Sequence, residues 1–242
     1  MKITAKKVSI IIPVHNEANY LEQQINQLIT KLEKTKQIKY EVTLIENGST
    51  DDTYRVAKDL MKKYLCLKVL RIKKPLYGTA IRKGIVVAKY NNIVQFDLDF
   101  IDVAFLKKVF ILLENGYDIV VGSKLHPFSK DQRPFVRIFI SKFINFFIRA
   151  IFQYAGSDTH GIKAYKKGRV LPLIKKIKSY HLFFDTEMLL RAQYLNFKIK
   201  EIPVNISELR KTRFPAALSI VQTIKEFINL VRLRKEIFNE KG

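Results

Sequence analysis

The stretch QFDLDF (95–100) closes an otherwise apolar run with two carboxylates, Asp97 and Asp99. Strand interiors disfavour Asp, and a carboxylate taken out of water is costly unless it is paired or bound to a metal. On an extended chain side chains alternate between faces, so these two point the same way and repel each other. A divalent cation removes that conflict. Hard oxygen ligands suit Mg²⁺ or Mn²⁺, and Mg²⁺ takes one or two carboxylates and completes its shell with water and substrate phosphates. Alone, the Asp-x-Asp spacing also fits helix capping or pairing with lysine, so the surrounding elements must decide.

Two further polar clusters, HNE (15–17) and ENGS (46–49), follow apolar runs in the same way. Val8–Ile12 is a β-branched run and reads as a buried strand. The next segment places Leu21, Ile25, Leu28, Ile29 and Leu32 at helical spacing. YEVTLIE (40–46) is a second strand, TYRVAKDLMKKYL a helix and KVLRI a third strand. YGTAIRKGIVVAKY reads as a Gly-initiated helix and NIVQFDLD as the fourth strand. Strands alternating with helices imply right-handed crossovers and a mostly parallel sheet covered on both faces. Ligands of such sheets sit outside the carboxyl ends of the strands. All three polar clusters fall there.

Beyond YDIVVGSK (117–124) the texture changes. HPFSKDQRP is a loop. FVRIFISKFINFFIRAIFQYAG is a helix in which Arg137, Ser141, Asn145, Arg149 and Gln153 form one slowly winding polar stripe, and nearly everything else is Phe, Ile, Val or Ala. Such a helix is buried on most sides or lies in a membrane interface. GSDTHGIKAY is a loop entering a strand or turn, KKGRVLPLIKKIK a basic helix, FFDTEMLLRAQYLNF another helix and KIKEIPVNI a strand. The tail from Ala217 to Phe238 is amphipathic, with Ile220, Ile224, Phe227, Ile228 and Val231 on one side.

The 242 residues suit one α/β domain, or a domain with an appendage, and 48% apolar content supports a core. The net charge of +22, from 44 Lys+Arg against 22 Asp+Glu, favours an anionic partner: nucleic acid, anionic lipid or phosphorylated substrate. No aromatic-basic RNA-binding strand or zinc pattern accompanies the charge, so no nucleic acid is expected. Cys66 is alone, which excludes an intrachain disulfide; between Leu65 and Leu67 it reads as a structural thiol. No stretch reaches the roughly 18–20 charge-free apolar residues of a membrane span.

Taken in order, IIPVHNEANYL, IENGSTDDT, YGTAIRKG, FDLD and SDTHGIKAY resemble the family 2 glycosyltransferases, most closely the polyprenyl- or dolichyl-phosphate sugar (mannose or glucose) synthases. The resemblance covers roughly residues 8–215. It implies an α/β GT-A fold: a Rossmann-like, mostly parallel sheet with helices on both faces, with amphipathic interface helices beside it. Residues 1–215 are then the glycosyltransferase domain, with a donor half of about 1–125 and an acceptor half of about 126–215. Residues 216–242 are an amphipathic C-terminal helix without a transmembrane span.

The resemblance also implies roles. Pro13, His15 and Glu17 belong to the segment that holds the nucleotide base and ribose, and Ile45 and Asn47 flank the base. The family usually has two Asp where this chain has Glu46 and Asn47, which leaves guanine and uracil both open. Gly78 lies in a loop near the donor. Asp97 and Asp99 hold the Mg²⁺ or Mn²⁺, with Leu98 near the diphosphate. Ile101 stands where relatives often place a further Gln ligand, and Asp102 points to the other face. Lys124 of GSK takes the place of a cation near the phosphates. Arg137, Ser141, Asp158, Lys163 and Glu187 belong to the acceptor side. Arg210 and Arg213 replace a basic pair that clamps donor and acceptor phosphates. Asp185, in FFDTEM, is a base or an orienting group.

The expected reaction is inverting transfer of a sugar from a GDP- or UDP-sugar to a polyprenyl or dolichyl phosphate, by an enzyme attached peripherally to the cytoplasmic face of a membrane. A lipid monophosphate is already an anionic nucleophile, its second pKa being about 6. A saccharide hydroxyl, the alternative acceptor, needs a general base, for which Asp158, Asp185 and Glu187 are the candidates. A catalytically lapsed lipid- or nucleic-acid-binding homologue is the further alternative.

Overall fold

The structure, a computed structural model, describes residues 6–35, 38–206 and 216–239. β1 (Lys6–Val14), α1 (Ala18–Glu33), β2 (Ile38–Asn47), α2 (Thr53–Lys63), β3 (Leu67–Ile72), α3 (Tyr77–Val87) and β4 (Asn92–Gln95) alternate through the first half. α4 (Val103–Glu114), β5 (Ile119–Ser123), β6 (Lys130–Asp131), α5 (Phe135–Phe152), β7 (Ile162–Lys166) and α6 (Lys167–Lys176) follow. α7 (Phe184–Tyr194), β8 (Ile199–Pro203), β9 (Asn205–Ile206), α8 (Ala216–Arg232) and α9 (Arg234–Phe238) complete the order.

Seven strands form one sheet in the order β3-β2-β1-β4-β7-β5-β8; β6 and β9 pair separately. β7 runs antiparallel to both its neighbours and the other pairings in the sheet are parallel. The mostly parallel α/β architecture read from the sequence is therefore the one observed. The apolar runs bury both faces of the sheet. Ile10 and Ile12 join a core with Leu21, Ile25 and Leu28 of α1, Leu60 of α2 and Phe105 of α4. Ile11 and Ile45 join the opposite core with Ile81 of α3, Ile174 of α6 and Met188 of α7.

Strand order reverses between β1 and β4. β2 and β3 lie to one side of β1, and β4 opens the other side. This is the switch point at which α/β sheets leave a crevice beyond their carboxyl ends. The antiparallel β7 delivers its beginning to that same end, with Lys163 opposite both Gln95 and Val121.

Two elements differ from the sequence reading. The tail is two helices broken at Leu233, and Leu230 and Ile237 are fully buried in the second core. Ile224 and Ile228 stay exposed while Phe227 and Val231 pack inward, so the expected apolar side is divided. α5 is a helix as expected, but only Asn145, Ile148 and Phe152 of it are buried. Of its polar stripe, Arg137, Ser141 and Asn145 are turned toward the protein while Arg149 and Gln153 are exposed, and its Phe-rich side is turned toward the outside.

Candidate active site

β1 and β2 end side by side, with Pro13 opposite Ile45 and Val14 opposite Glu46. Beyond them the two loops knit together. Asn16, at φ 54°, donates its N–H to Ser49 Oγ (3.0 Å) and accepts from the Thr50 N–H (2.8 Å). Glu17 N–H donates to Thr53 Oγ1 (2.6 Å) and Ala18 N–H to Asp51 Oδ2 (3.2 Å). His15 Nδ1 donates to the Asn47 carbonyl (2.9 Å), and Asn47 Oδ1 accepts the Leu76 N–H (2.8 Å), tying this corner to the start of α3. Gly48 makes the turn at φ 66°; a Cβ there would come within 3.0 Å of the 73–75 backbone.

β4 stops at Gln95, so the D-L-D segment is a turn, closed by the Phe100 N–H onto the Asp97 carbonyl (2.9 Å), and not the end of a strand. The alternation survives the change. Phe96 and Leu98 are buried in the first core, while Asp97 and Asp99 are both partly exposed. Burial pushes the Asp97 carboxyl up to about 6 and the Asp99 charge adds to this, while Lys124 and Lys163 oppose it. Among the described residues no group of three or more His, Cys, Asp or Glu is arranged to hold a metal. Two carboxylates with water and substrate oxygens fit the hard-cation chemistry of Mg²⁺ or Mn²⁺. Asp102 is no ligand here, since its Oδ1 caps α4 through the Ala104 and Phe105 N–H groups.

Below the turn lies a buried polar network. Asp185, 2% exposed, accepts from Lys163 Nζ (2.9 Å), Tyr77 Oη (3.1 Å) and Gln95 Nε2 (3.1 Å). Lys163, fully buried, also donates to the Gly161 carbonyl (2.6 Å). Tyr165 Oη donates to Gln95 Oε1, so Gln95 is held at both ends of its amide. A buried ion pair is tolerated where further hydrogen bonds support it, as those from Tyr77 and Gln95 and to the Gly161 carbonyl do here.

The loop before β7 is equally committed. Asp158, 1% exposed, accepts the N–H groups of Lys124 and His160 (both 2.9 Å). Burial pushes its pKa up, but Lys124, these N–H groups and His160 outweigh it and hold the carboxyl below its ordinary range. Lys124 Nζ donates to the His160 carbonyl (2.8 Å) and lies 4.0 Å from Asp158. Burial first, and the Lys124 charge second, push the His160 imidazole down to about 4. Thr159 Oγ1 lies 3.0 Å from His160 Nδ1 and accepts from Thr186 of α7 (2.9 Å). Glu201 of β8 accepts from the Ser157 and Asp158 N–H groups.

Four residues with expected roles have their side chains or Cα committed to packing within the protein. Ile45 is wholly buried beneath α3. Leu98 turns its side chain into the core, leaving only its backbone toward any diphosphate. Gly78 is the second residue of α3, not a donor loop; a Cβ there would meet Phe184 Cβ at 2.6 Å, so it serves the packing of α3 on α7. Glu187 is fully buried and both its oxygens are occupied, by the Lys178 and Ser179 N–H groups and by Arg191, which also reaches Glu236 of α9. On α5, Ser141 Oγ accepts from Arg133 (3.5 Å), which forks onto Asp131. Arg137 is half-buried one turn earlier. Arg210 and Arg213 lie outside the described residues.

The sequence reading missed Gln95, Tyr77 and Tyr165. Gln95 carried a signal, being a polar residue inside a strand too apolar to be half-exposed. The two tyrosines carried none, because tyrosine in a strand or at a helix start reads as packing.

Residues 9–171 match the family model Glycosyl transferase family 2. Glycosyltransferase AglD of Haloferax volcanii is 28% identical over 82% of this chain and 33% of its own length. The dolichyl-phosphate β-glucosyltransferase of Homo sapiens is 28% identical over 95% of this chain and 76% of its own. The chain thus spans about a third of one relative and about three quarters of the other. Glucosyl-3-phosphoglycerate synthase from Mycobacterium tuberculosis, in complex with Mn²⁺, uridine diphosphate and glucosyl-3-phosphoglycerate, shares the fold. Its TM-score is 0.63 at 15% identity, over 99% of this chain and 82% of that one. With a family model matched over two thirds of its length, the chain belongs to glycosyl transferase family 2.

Proposed function

We propose that this chain transfers a sugar, with inversion, from a nucleotide-diphosphate sugar to a polyprenyl or dolichyl phosphate at a membrane surface. One observation carries the choice of acceptor. All three acids that could serve as base to a saccharide hydroxyl are engaged within the protein: Asp158 by two N–H groups, Asp185 by Lys163, Tyr77 and Gln95, and Glu187 by two N–H groups and Arg191. A carboxylate that already accepts several hydrogen bonds beside a cation is a poor base. A lipid monophosphate is an anion near neutral pH and needs none. The dolichyl-phosphate β-glucosyltransferase similarity supports the same acceptor.

In this reading the β1–β2 corner around Pro13, His15, Glu17 and Asn47 seats the nucleoside. Asp97 and Asp99 hold Mg²⁺ or Mn²⁺, which neutralises the charge that grows on the leaving diphosphate. Mn²⁺ in the complex of the Mycobacterium tuberculosis synthase supports that assignment. Lys124, already near Asp158 and the His160 carbonyl, adds positive potential close to the diphosphate. Asp185 orients rather than abstracts a proton. Arg137 and Ser141 lie toward the acceptor, and Arg210 and Arg213 complete the clamp on the phosphates. Positioning and charge neutralisation then do most of the work.

α5 and α8 supply the attachment. Phe135, Val136, Phe139, Ile140, Phe143 and Phe146 of α5 are exposed, and the charged residues of this helix are Arg137, Lys142 and Arg149, without an acid. Val221, Ile224 and Ile228 of α8 are exposed too. An apolar face flanked by cations suits an anionic membrane interface on the cytoplasmic side. No helix among the described residues is long and apolar enough to cross a membrane.

The test is turnover of labelled GDP- and UDP-sugars with Mn²⁺ or Mg²⁺ and a short polyprenyl phosphate, following chloroform-extractable label. Product that requires metal, lipid phosphate and an intact Asp99 is expected, with Asp99→Ala falling by about a hundredfold or more. Donor hydrolysis or transfer to saccharides without lipid product moves the acceptor to a hydroxyl. Folded protein that neither binds nor turns over a donor is a lapsed enzyme.

A further inference from the structure

α9 is tied to the loop that leads into α7. α6 ends at Lys176 and α7 begins at Phe184. Between them the Lys178 and Ser179 N–H groups donate to the two oxygens of Glu187 (3.0 and 2.8 Å). Arg191, one turn further along α7, donates through Nε to Glu187 (2.8 Å) and through Nη2 to Glu236 of α9 (2.8 Å). Glu236 also accepts from Lys178 Nζ (2.5 Å), which closes a ring. Glu187 and Arg191 are fully buried, whereas Glu236 is 41% exposed. α8 adds an apolar contact to the same loop, with the Phe227 ring 5.9 Å from that of Phe183.

The loop reaches the site from its other side. The Tyr180 carbonyl accepts the Gly78 N–H (2.8 Å), which fixes the first turn of α3, and there Tyr77 Oη donates to Asp185 (3.1 Å). Phe183, 2% exposed, stands edge-on to the His160 ring at 5.9 Å, and the His160 carbonyl receives Lys124 Nζ (2.8 Å). Glu187 and Arg191 lie four residues apart on one helix and can pair wherever the loop goes. Glu236 comes from 58 residues beyond Lys178 and alone bridges that residue to Arg191. A partly exposed ion pair adds little to global stability, so its effect falls on the local order of the loop it holds. From this we propose that Glu236 is a positioning residue for the transfer reaction. It locks the loop between α6 and α7, and through that loop it sets Tyr77 against Asp185 and Phe183 against His160.

The proposal rests on the transferase reading above, and the two fail differently. Glu236→Gln keeps an oxygen for the buried Arg191 guanidinium and turns an NH₂ toward the Lys178 ammonium, so it opens the ring at Lys178. In the full chain, amide hydrogen exchange is expected to quicken about tenfold at Ser179 and Gly78 and to stay unchanged in β1 and β2. With metal, nucleotide sugar and a short polyprenyl phosphate, kcat is expected to fall about tenfold while donor KM stays within about twofold. Lys178→Met/Glu236→Gln is expected to fall no further than the single variants, because both break one contact. Lys178→Met, at a side chain 58% exposed, carries the same test if Glu236→Gln does not fold. Unchanged exchange at Ser179 and Gly78 overturns the proposal. So does an unchanged kcat, or a kcat that falls only in proportion to the folded fraction. A wild type that transfers no sugar from any donor removes the transferase reading, and the exchange data still decide whether Glu236 orders the loop.

Discussion

At the scale of single residues, the site is a contrast between two carboxylate populations. Asp97 and Asp99 face each other's charge in a turn, and burial with Asp99 raises Asp97 to about 6. Asp158, Asp185 and Glu187 are paired and quiet. The contrast is testable through Lys163 and Asp185, which are 0% and 2% exposed and 2.9 Å apart. Lys163→Met strands a buried carboxylate and is expected to cost about 3–5 kcal/mol in urea unfolding, whereas Lys163→Met/Asp185→Asn recovers most of that loss. Equal destabilisation by the single and double variants would show that the pair is not coupled. His160 gives a pH test. Its unfolded imidazole titrates near 6.5, while burial holds the folded one near 4. A depressed folded pKa means that the native state binds fewer protons than the unfolded chain between those values. Stability is therefore complete above about pH 6.5 and declines as pH falls toward about 4, by on the order of 3 kcal/mol. Urea midpoints between about pH 7 and 4.5 should show this decline in wild type and a flatter limb in His160→Asn; parallel limbs would refute it.

At the scale of elements, α5 is the unusual one. A helix normally turns its apolar stripe to the core. α5 instead buries Asn145 and leaves Phe139 58% and Phe143 55% exposed, stacked on each other at 6.3 Å between ring centres. The side chains cost little to change because they touch little. Phe139→Glu/Phe143→Glu is expected to leave thermal stability within about 0.5 kcal/mol per site. It is also expected to abolish sedimentation with anionic vesicles at low salt, which wild type shows and loses as salt rises. Vesicle binding by the variant equal to wild type would assign attachment elsewhere. α3 and α7 show the ordinary case, where Gly78 admits Phe184 and thereby sets Tyr77 against Asp185.

At the scale of the whole molecule, local pattern and tertiary arrangement divided the information cleanly. The alternation of β-branched runs with helix-period segments was enough for the parallel sheet, because the strands are buried on both faces and their sequences say so. The carboxyl-end rule then places HNE, ENGS and DLD at one end of the sheet. Composition declared a basic chain with a real core. What the chain could not say is which groups meet across it. The antiparallel insertion of β7 sets Lys163 opposite Gln95, and residues 22 apart in sequence, Lys163 and Asp185, become an ion pair. Ile45, Leu98, Gly78 and Glu187 matched motifs by position, yet burial and partners gave each a structural task. The tail reads as a separate amphipathic helix, but Leu230 and Ile237 anchor it in the core. Periodicity and residue type determined the fold class and which end of the sheet gathers the polar motifs, since both arise from local, repeating physics. Only the tertiary structure decided that Asp158, Asp185 and Glu187 are spent holding the protein together, because a carboxylate's role depends on neighbours that sequence distance conceals.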